Sequence, residues 1–479
     1  MKTSLVNLNQ MQLGNLYRWL GTSSAVTLVG PAETPISGIT TDSRNMKPGA
    51  LFVAIAGEAF DGHSFIPALQ GSAGAVLIDR YIPDLQVPSL KVANTRDALA
   101  DIAFGYRKQF DLPLIGVTGS NGKTTVKEMI SAILAAHVGA DSRIATAGNL
   151  NNDIGVPLTL FKLGAQHKMG VIEMGMNHPG EIAQLARMTQ PQVVVVTNAQ
   201  REHQEFMASV EATAHENGSA ISALQADGVA VFPFDDSCAA IWRQLAGARR
   251  CFKFGLLDVA PAAANCDVVF AEKASQPQAF TLQWQPLQGE LQKITIEIHI
   301  DGVHNVRNAL AAASCALAVN IPLQTIAAGL AQFVPVKGRL VRTLLNGGAN
   351  LIDDSYNANP DSVRAAISVL AGSKSSTILV LGDMGEVGNK GPEFHAEVGC
   401  FAAEQGINHI LLFGEATRVT AQAAGQCAQH FDSIDALIER LRLLISAQTS
   451  AQTTVLVKGS RFMKMERVVN ALVEDRRAA

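Results

Sequence analysis

Apolar residues recur along this chain in two rhythms, and together they predict strands alternating with helices. Uninterrupted apolar runs at residues 112–117, 170–173 and 193–197 read as buried strands. After the first run, Val126, Met129, Ile130, Ile133 and Leu134 return at three- and four-residue spacing, which predicts a helix that Gly139 ends. The next two runs each follow a helical segment, so the strands should lie parallel with helices on both faces of the sheet. From about 227 to 300 the character changes. Residues 294–300 alternate in period two, as expected of antiparallel strands added to that sheet, and an Ala-rich helix over 305–319 follows. Further on, runs at 378–381, 410–413 and 454–457 separated by helical stretches repeat a doubly wound pattern. Ahead of all this, residues 1–22 resemble a short amphipathic helix. Strand-like stretches at 50–55 and 75–78 come next, with turns at Lys47-Pro48-Gly49 and Asp61-Gly62, and a helical pattern over 95–110.

A length of 479 residues accommodates about three domains. The expected fold class is α/β: a small N-terminal α/β domain over residues 1–110, a central mostly parallel sheet with helices on both faces over 111–336, and a C-terminal Rossmann-like doubly wound domain over 337–479. With 48% hydrophobic and 17% charged residues the chain has the composition of a soluble globular protein with ample core. Its net charge of −4 offers nothing globally basic to nucleic acid, and no apolar run has the length of a membrane span. No secretory signal opens the sequence. Six cysteines lie far apart without a C-x-x-C pair, which argues for reduced thiols in a cytoplasmic protein and against a zinc or disulfide framework.

The chemistry concentrates at Gly116-Val117-Thr118-Gly119-Ser120-Asn121-Gly122-Lys123-Thr124. This is a near variant of the phosphate-cradling pattern G-x-x-x-x-G-K-[ST], with the leading glycine one position early. It lies between a predicted strand and a predicted helix, the context in which backbone N–H groups and the positive helix end wrap a triphosphate. Lys123 would reach the β/γ-phosphates and Thr124 would hold Mg²⁺, so the central domain is a P-loop domain that consumes ATP or GTP; a chance match in a turn is the alternative. Such a site needs a carboxylate for the metal, and Glu173, at the end of an apolar run, is the candidate, unless it caps the following turn. His203 follows the next strand, where a lone loop histidine is usually just solvated.

Other polar clusters stand out. Asn149-Leu150-Asn151-Asn152-Asp153 suits sugar or peptide recognition or a helix cap. Asn305 and Asn308 share a helical face and match an adenine edge or a cap. Asp353-Asp354-Ser355-Tyr356-Asn357-Ala358-Asn359-Pro360 leaves a strand end as a ligand loop or a surface turn.

Taken together these segments resemble the ATP-dependent Mur ligases over nearly the whole chain. The run 116–125 is similar to that family's ATP loop, and Thr41-Asp42-Ser43-Arg44 with Pro48-Gly49-Ala50-Leu51-Phe52 resembles its uridine-binding first domain. Gly148-Asn149-Leu150-Asn151-Asn152, Leu381-Gly382-Asp383-Met384-Gly385-Glu386 and Val457-Lys458-Gly459-Ser460-Arg461 match the branch that adds a dipeptide, while the D-N-P-R motif of the diaminopimelate- or lysine-adding branches is absent. The resemblance implies a monomeric, Mg²⁺-dependent enzyme of peptidoglycan precursor synthesis. It would use ATP to join D-alanyl-D-alanine to a UDP-N-acetylmuramoyl-tripeptide through an acyl phosphate. It further implies that Gly119, Asn121, Gly122, Lys123, Thr124 and Thr125 bind ATP, with Asn305 and Asn308 at adenine and Asp354 at ribose. Thr124, Glu173 and His203 would hold metal, and Arg339 would meet the γ-phosphate. Ser43 and Arg44 would lie near UDP, and Asn151, Asn152, Tyr356, Asn357 and Asn359 near substrate.

One departure stands out. The resemblance implies a carbamylated lysine supporting a second metal, yet Asn217 occupies that position, so the second metal is either held differently, by Glu216 or Glu205, or bound more weakly. Two other readings compete. A folylpolyglutamate synthase would lack the uridine-type first domain. A nucleotide-gated switch would show ATPase activity indifferent to peptide amine.

Overall fold

The structure, a computed structural model, describes residues 11–21, 26–57, 60–202, 204–258, 266–273, 278–447 and 453–478. Three sheets follow one another along the chain.

The first has five strands in the order Thr27–Val29, Ser89–Lys91, Ala75–Ile78, Leu51–Val53, Ile39–Thr40. All neighbours are parallel except the outermost Thr27–Val29, which runs antiparallel. Leu51 and Val53 face one core and Phe52 the other, so both faces are buried and the strands read as plain apolar runs. The amphipathic N-terminal helix spans Leu13–Leu20 and packs on the helix Thr95–Arg107; the rest of the expected 1–22 segment lies largely outside the described residues.

The central sheet has nine strands: Gln292–Glu297, Ala279–Gln285, Asp267–Ala271, Arg250–Leu256, Val229–Pro233, Val193–Val196, Leu114–Thr118, Met169–Glu173, Arg143–Ala145. Only the last two strands in chain order are antiparallel. The change of character expected from residue 227 therefore starts later. Val229–Pro233, Arg250–Leu256 and Asp267–Ala271 continue the parallel sheet. They are covered on both faces, so period two shows in the partly exposed antiparallel strands Ala279–Gln285 and Gln292–Glu297 instead. One face, with Ile115, Val117 and Val195, packs on the helices Lys123–Val138 and Val303–Ala318. The other face, with Ile172, Val194 and Val196, shares its core with Leu99 and Tyr106 from the helix Thr95–Arg107.

Strand Leu114–Thr118 pairs with Met169–Glu173 on one side and Val193–Val196 on the other. That is a topological switch point, where loops leaving the carboxyl ends diverge and open a crevice.

The third sheet has six strands: Val341–Leu344, Asn350–Asp354, Thr453–Lys458, Ser376–Gly382, His409–Phe413, Ala428–Phe431, parallel apart from the first pair. Its strand ends at Asp354 and Lys458 point the third unit's loops toward the same crevice.

Candidate active site

The loop after strand Leu114–Thr118 is shaped by two glycines. Gly119 has φ +123°, and a Cβ there would sit 2.2 Å from Thr197 Oγ1, so only glycine lets the loop pass the neighbouring strand end. Gly122 has φ +84° and opens the helix Lys123–Val138, with Asn308 Oδ1 only 2.6 Å from where its Cβ would be. The helix ends at Gly139, as its spacing predicts.

The loop is stitched to the segment after strand Val193–Val196. Asn121 N–H donates to Asn198 Oδ1 at 2.9 Å, Asn121 Nδ2 to Gln200 Oε1 at 2.7 Å, and Gln200 N–H to Ser120 Oγ at 2.9 Å. Asn217 Oδ1 accepts from the Thr118 hydroxyl at 2.5 Å and the Gly119 N–H at 2.9 Å, while its Nδ2 donates to Thr213 O at 3.1 Å. Its amide is thus a buried brace for the loop.

Lys123 Nζ folds over this loop. It donates to Gly119 O at 2.6 Å, to Ser120 O at 3.0 Å and to Glu202 Oε1 at 2.5 Å. Next to it the Thr124 hydroxyl donates to Glu173 Oε1 at 3.1 Å, and Asn151 Nδ2 donates to the same oxygen at 2.9 Å. Glu173 is 2% exposed, and its Oε2 has no hydrogen-bond partner. A buried carboxylate oxygen without a donor is costly, and a cation at that point removes the cost. With the Thr124 hydroxyl alongside, this all-oxygen set fits Mg²⁺.

The third unit closes the far side. Asn359 caps the helix Pro360–Ala371 and also reaches the loop, its Nδ2 donating to Asn121 Oδ1 at 2.9 Å. Arg201 sends its guanidinium to Asp361 at 2.6 Å and to Glu397 at 2.6 Å. Those carboxylates raise the Arg201 pKa further, and the same contact holds Glu397 below the usual glutamate range. The Arg339 guanidinium stacks over the Tyr356 ring at 4.4 Å, with Arg461 on that ring at 5.7 Å. Lys458 Nζ donates to Asp354 Oδ2 at 2.6 Å and to Asn357 O at 2.9 Å. Burial pushes the Asp354 pKa up, and Lys458 offsets part of that rise. Asn308 Nδ2 donates to Asn305 Oδ1 at 2.9 Å, and Asn305 Nδ2 to Asp301 O at 2.6 Å.

These groups line one cleft of about 1080 Å³. It brings together Asn121, Gly122, Lys123, Thr124, Thr125, Asn151, Asn152, Glu173, Asn305, Asn308, Arg339, Asp354, Tyr356, Asn357 and Asn359. Gly119 lies beneath it, bonded to Asn217. Ser43 and Arg44 are not among its lining residues; they form a single turn in which Arg44 folds onto Asp42 at 2.9 Å. His203 lies outside the described residues.

The replacements expected for a missing lysine carbamate are placed elsewhere. Glu216 accepts the N–H groups of Gly180 and Ile182, at the start of the helix Glu181–Thr189, and Glu205 is exposed. Sequence reasoning missed Arg201, Glu202 and Lys458 as cleft residues. The available signal was the adjacent charges Arg201-Glu202 in the loop after an apolar strand.

Three family descriptions match this chain: Mur ligase family, catalytic domain, over residues 35–107; Mur ligase middle domain over 117–316; and Mur ligase, glutamate ligase domain, over 338–461. The UDP-N-acetylmuramoyl-tripeptide–D-alanyl-D-alanine ligase of Escherichia coli (strain K12) is 40% identical over 447 residues, which cover 93% of this chain and 95% of that one. The protein of the same name from Haemophilus influenzae is 35% identical over 98% of this chain and 99% of its own. A crystal structure of MurF from Acinetobacter baumannii has a TM-score of 0.87 at 32% identity and covers 97% of this chain and 98% of its own. MurF from Thermotoga maritima in complex with ADP, at 24% identity over 92% of this chain and 98% of its own, shares the fold with a TM-score of 0.78.

Proposed function

The chain belongs to the Mur ligase family, and we infer that it is the ATP-dependent amide ligase that joins D-alanyl-D-alanine to a UDP-N-acetylmuramoyl-tripeptide in peptidoglycan precursor synthesis. The observation that carries this reading within the chain is the junction of Lys123, Thr124 and Glu173 at the switch point of the central sheet.

A carboxylate repels nucleophiles and has no good leaving group. Transfer of the γ-phosphoryl group to the tripeptide's terminal carboxylate makes an acyl phosphate and removes both obstacles. The dipeptide amine then attacks the acyl carbon, and phosphate departs with the C–O bonding pair. Lys123 and Arg339 offset the charge that gathers where triphosphate and carboxylate meet. The stacking of Arg339 on Tyr356 presents that cation from the third unit. Thr124 and Glu173 would hold the first Mg²⁺, and His203 would be a ligand of a second. When bound there, Mg²⁺ neutralises phosphate oxygens. Asn305 and Asn308 face adenine beside Gly122, and Asp354 faces ribose. Asn151, Asn152, Tyr356, Asn357 and Asn359 position the two peptides.

The division of labour follows the three sheets: residues 1–110 take the UDP handle through Ser43 and Arg44, 111–336 take ATP, and 337–479 supply Arg339 and the amine site. The scheme asks nothing of a second copy, and a monomer is the acting form it proposes. Dependence on ATP supports a cytoplasmic location. Among the described residues no helix is long and apolar enough to cross a membrane.

Phosphate release tests the reading: with ATP, the UDP-muramoyl-tripeptide and D-alanyl-D-alanine all present it should be rapid, and omitting any one should abolish it. Release indifferent to the dipeptide would favour a nucleotide-gated switch instead.

A further inference from the structure

The incoming dipeptide needs a partner for its amino group. An α-amino group has a pKa of about 7.7–8.0, so near neutral pH most of it arrives as ammonium. The cleft wall already gathers the cations Lys123, Arg339 and Arg461. A further cation approaching them needs a carboxylate to receive it.

The third unit carries one at the cleft's edge. Strand Ser376–Gly382 ends at the crevice, and the loop that leaves it puts Gly385, Glu386 and Val387 on the cleft wall. The start of that loop is tied to several other elements. Met384 N–H donates to His395 Nε2 at 3.1 Å, and Nδ1 of the same ring, fully buried, donates to Gly391 O at 2.8 Å. A buried imidazole is costly unless both nitrogens bond, and here both do. Gly385 N–H donates to Ser460 Oγ at 2.7 Å, and that hydroxyl donates to Ala358 O at 3.0 Å. Asp383 Oδ1 accepts Thr417 N–H at 2.9 Å.

These ties hold the next residue in an uncommon conformation. Glu386 has φ +58°, the left-handed region that a residue with a side chain adopts at a cost. Its carbonyl accepts Glu205 N–H at 3.3 Å, which sets it against a loop of the central unit. The strained backbone is thus fixed from both sides, and it keeps an exposed glutamate on the cleft wall. Two other third-unit carboxylates of that wall are less accessible. Asp354 is bonded to Lys458 with its side chain 13% exposed, and Asp361 to Arg201 with its side chain 21% exposed. An exposed carboxylate trades one partner for another at little cost.

Resting on the ligase reading above, we propose that Glu386 receives the ammonium of the incoming dipeptide and that His395 is the positioning residue that holds Glu386 in its strained conformation. The ligand class is a short peptide with a free α-ammonium. His395 acts through Met384 and the loop, without touching substrate.

The test separates reception of the amine from activation of the carboxylate. Hydroxylamine is neutral at pH 7 and traps acyl phosphates as hydroxamates, so it consumes the same intermediate without an ammonium to be received. The full-length protein is given ATP, Mg²⁺ and the UDP-muramoyl-tripeptide with either D-alanyl-D-alanine or hydroxylamine. Glu386→Gln should raise the KM for the dipeptide about 10- to 100-fold and lower the ratio of dipeptide product to hydroxamate by a similar factor, the usual cost of losing a charged hydrogen-bond partner. Glu386→Asp should fall between. His395→Ala should shift the ratio in the same direction, and His395→Gln, which can still accept from Met384, should restore part of it. A dipeptide KM unchanged in Glu386→Gln, or both products falling together in that variant, would overturn the proposal. Both products falling together in His395→Ala would leave His395 a structural residue and remove it from the proposal. Thermal melts identify a folding defect, and Glu386→Asp then carries the comparison. A wild-type protein that makes no hydroxamate would count against the acyl phosphate of the ligase reading, and the dipeptide KM alone would then decide the role of Glu386.

Discussion

The central unit meets its two neighbours through seams of different chemistry. Toward the first unit, the helix Thr95–Arg107 packs on the helices Gly155–Leu160 and Glu181–Thr189 within one continuous apolar core. Besides the surface ion pairs Arg96–Asp153 and Arg187–Asp101, it has buried donors on backbone carbonyls. The Tyr106 hydroxyl donates to Leu163 O at 2.8 Å, and the Arg107 guanidinium donates to Thr189 O, Phe110 O and Leu112 O at 3.0, 2.6 and 2.9 Å. Toward the third unit, among the described residues, no pair of helices or strands packs as closely. Beside the cleft that seam is carried by side chains that touch solvent, Arg201 on Asp361 and Glu397 and Asn121 on Asn359, with Arg342 on Asp301 further along, and apolar residues of both units, Leu310 and Ile352 among them, also share one core. A buried donor on a carbonyl has no alternative partner nearby, so opening that seam leaves orphans. An ion pair at a wet edge exchanges protein for water at little cost. The difference, buried Tyr106 and Arg107 bonds at the first seam against ion pairs beside the cleft at the second, predicts that the second opens more readily than the first.

The largest effect should come from breaking the first seam. Arg107→Ala leaves three carbonyls without their donor and should cost roughly 3 kcal/mol of stability or more, read by urea unfolding. A loss under about 1 kcal/mol would erase the contrast. Arg201→Ala should do the opposite: stability changes by less than about 1 kcal/mol, while kcat falls by roughly tenfold because the closed arrangement loses about 1–2 kcal/mol. Equal kcat in steady-state assays would show that the ion pairs do not govern closure. Salt sharpens the comparison next. Raising ionic strength from about 0.05 to 0.5 M shortens the screening length from roughly 14 to 4 Å, and should expand the scattering profile chiefly through the second seam, because the buried Tyr106 and Arg107 bonds of the first are not screened.

The smallest effect is that of pH. Glu397 has its folded-state pKa depressed by Arg201 and Arg364, so its contribution is fully present above the unfolded value of about 4.3 and is lost as pH falls through the lower folded value. Arg201 is shifted further upward and stays charged. Scattering profiles should therefore coincide between about pH 6 and 9, and expansion confined to that window would show that a different group holds the seam.

Legibility in the sequence followed contact distance along the chain. Lys123 and Thr124 are consecutive, and the glycines that shape their loop lie within five positions of them. Glu173 was legible because a charge at the end of an apolar strand needs a reason. Glu202 was not, since its meaning comes from Lys123, 79 positions away, and the Asn121–Asn359 contact spans 238 positions. The strands Val229–Pro233 and Arg250–Leu256 escaped the period-two search because burial on both faces removes the alternation.

What the sequence by itself determined is local: where helices start and stop, which strand feeds the phosphate loop, and which residue types stand at its helix. Glycine conformation, helix periodicity and the chemistry of a lysine beside a threonine need no distant partner. The tertiary structure alone decided which charges face one another. It spent Glu216 on a helix start, Asn217 on bracing the loop and Arg201 on the third unit, and left Glu202 against Lys123. The reason is that electrostatic interaction depends on separation in space, and a folded chain sets that separation independently of order along the backbone.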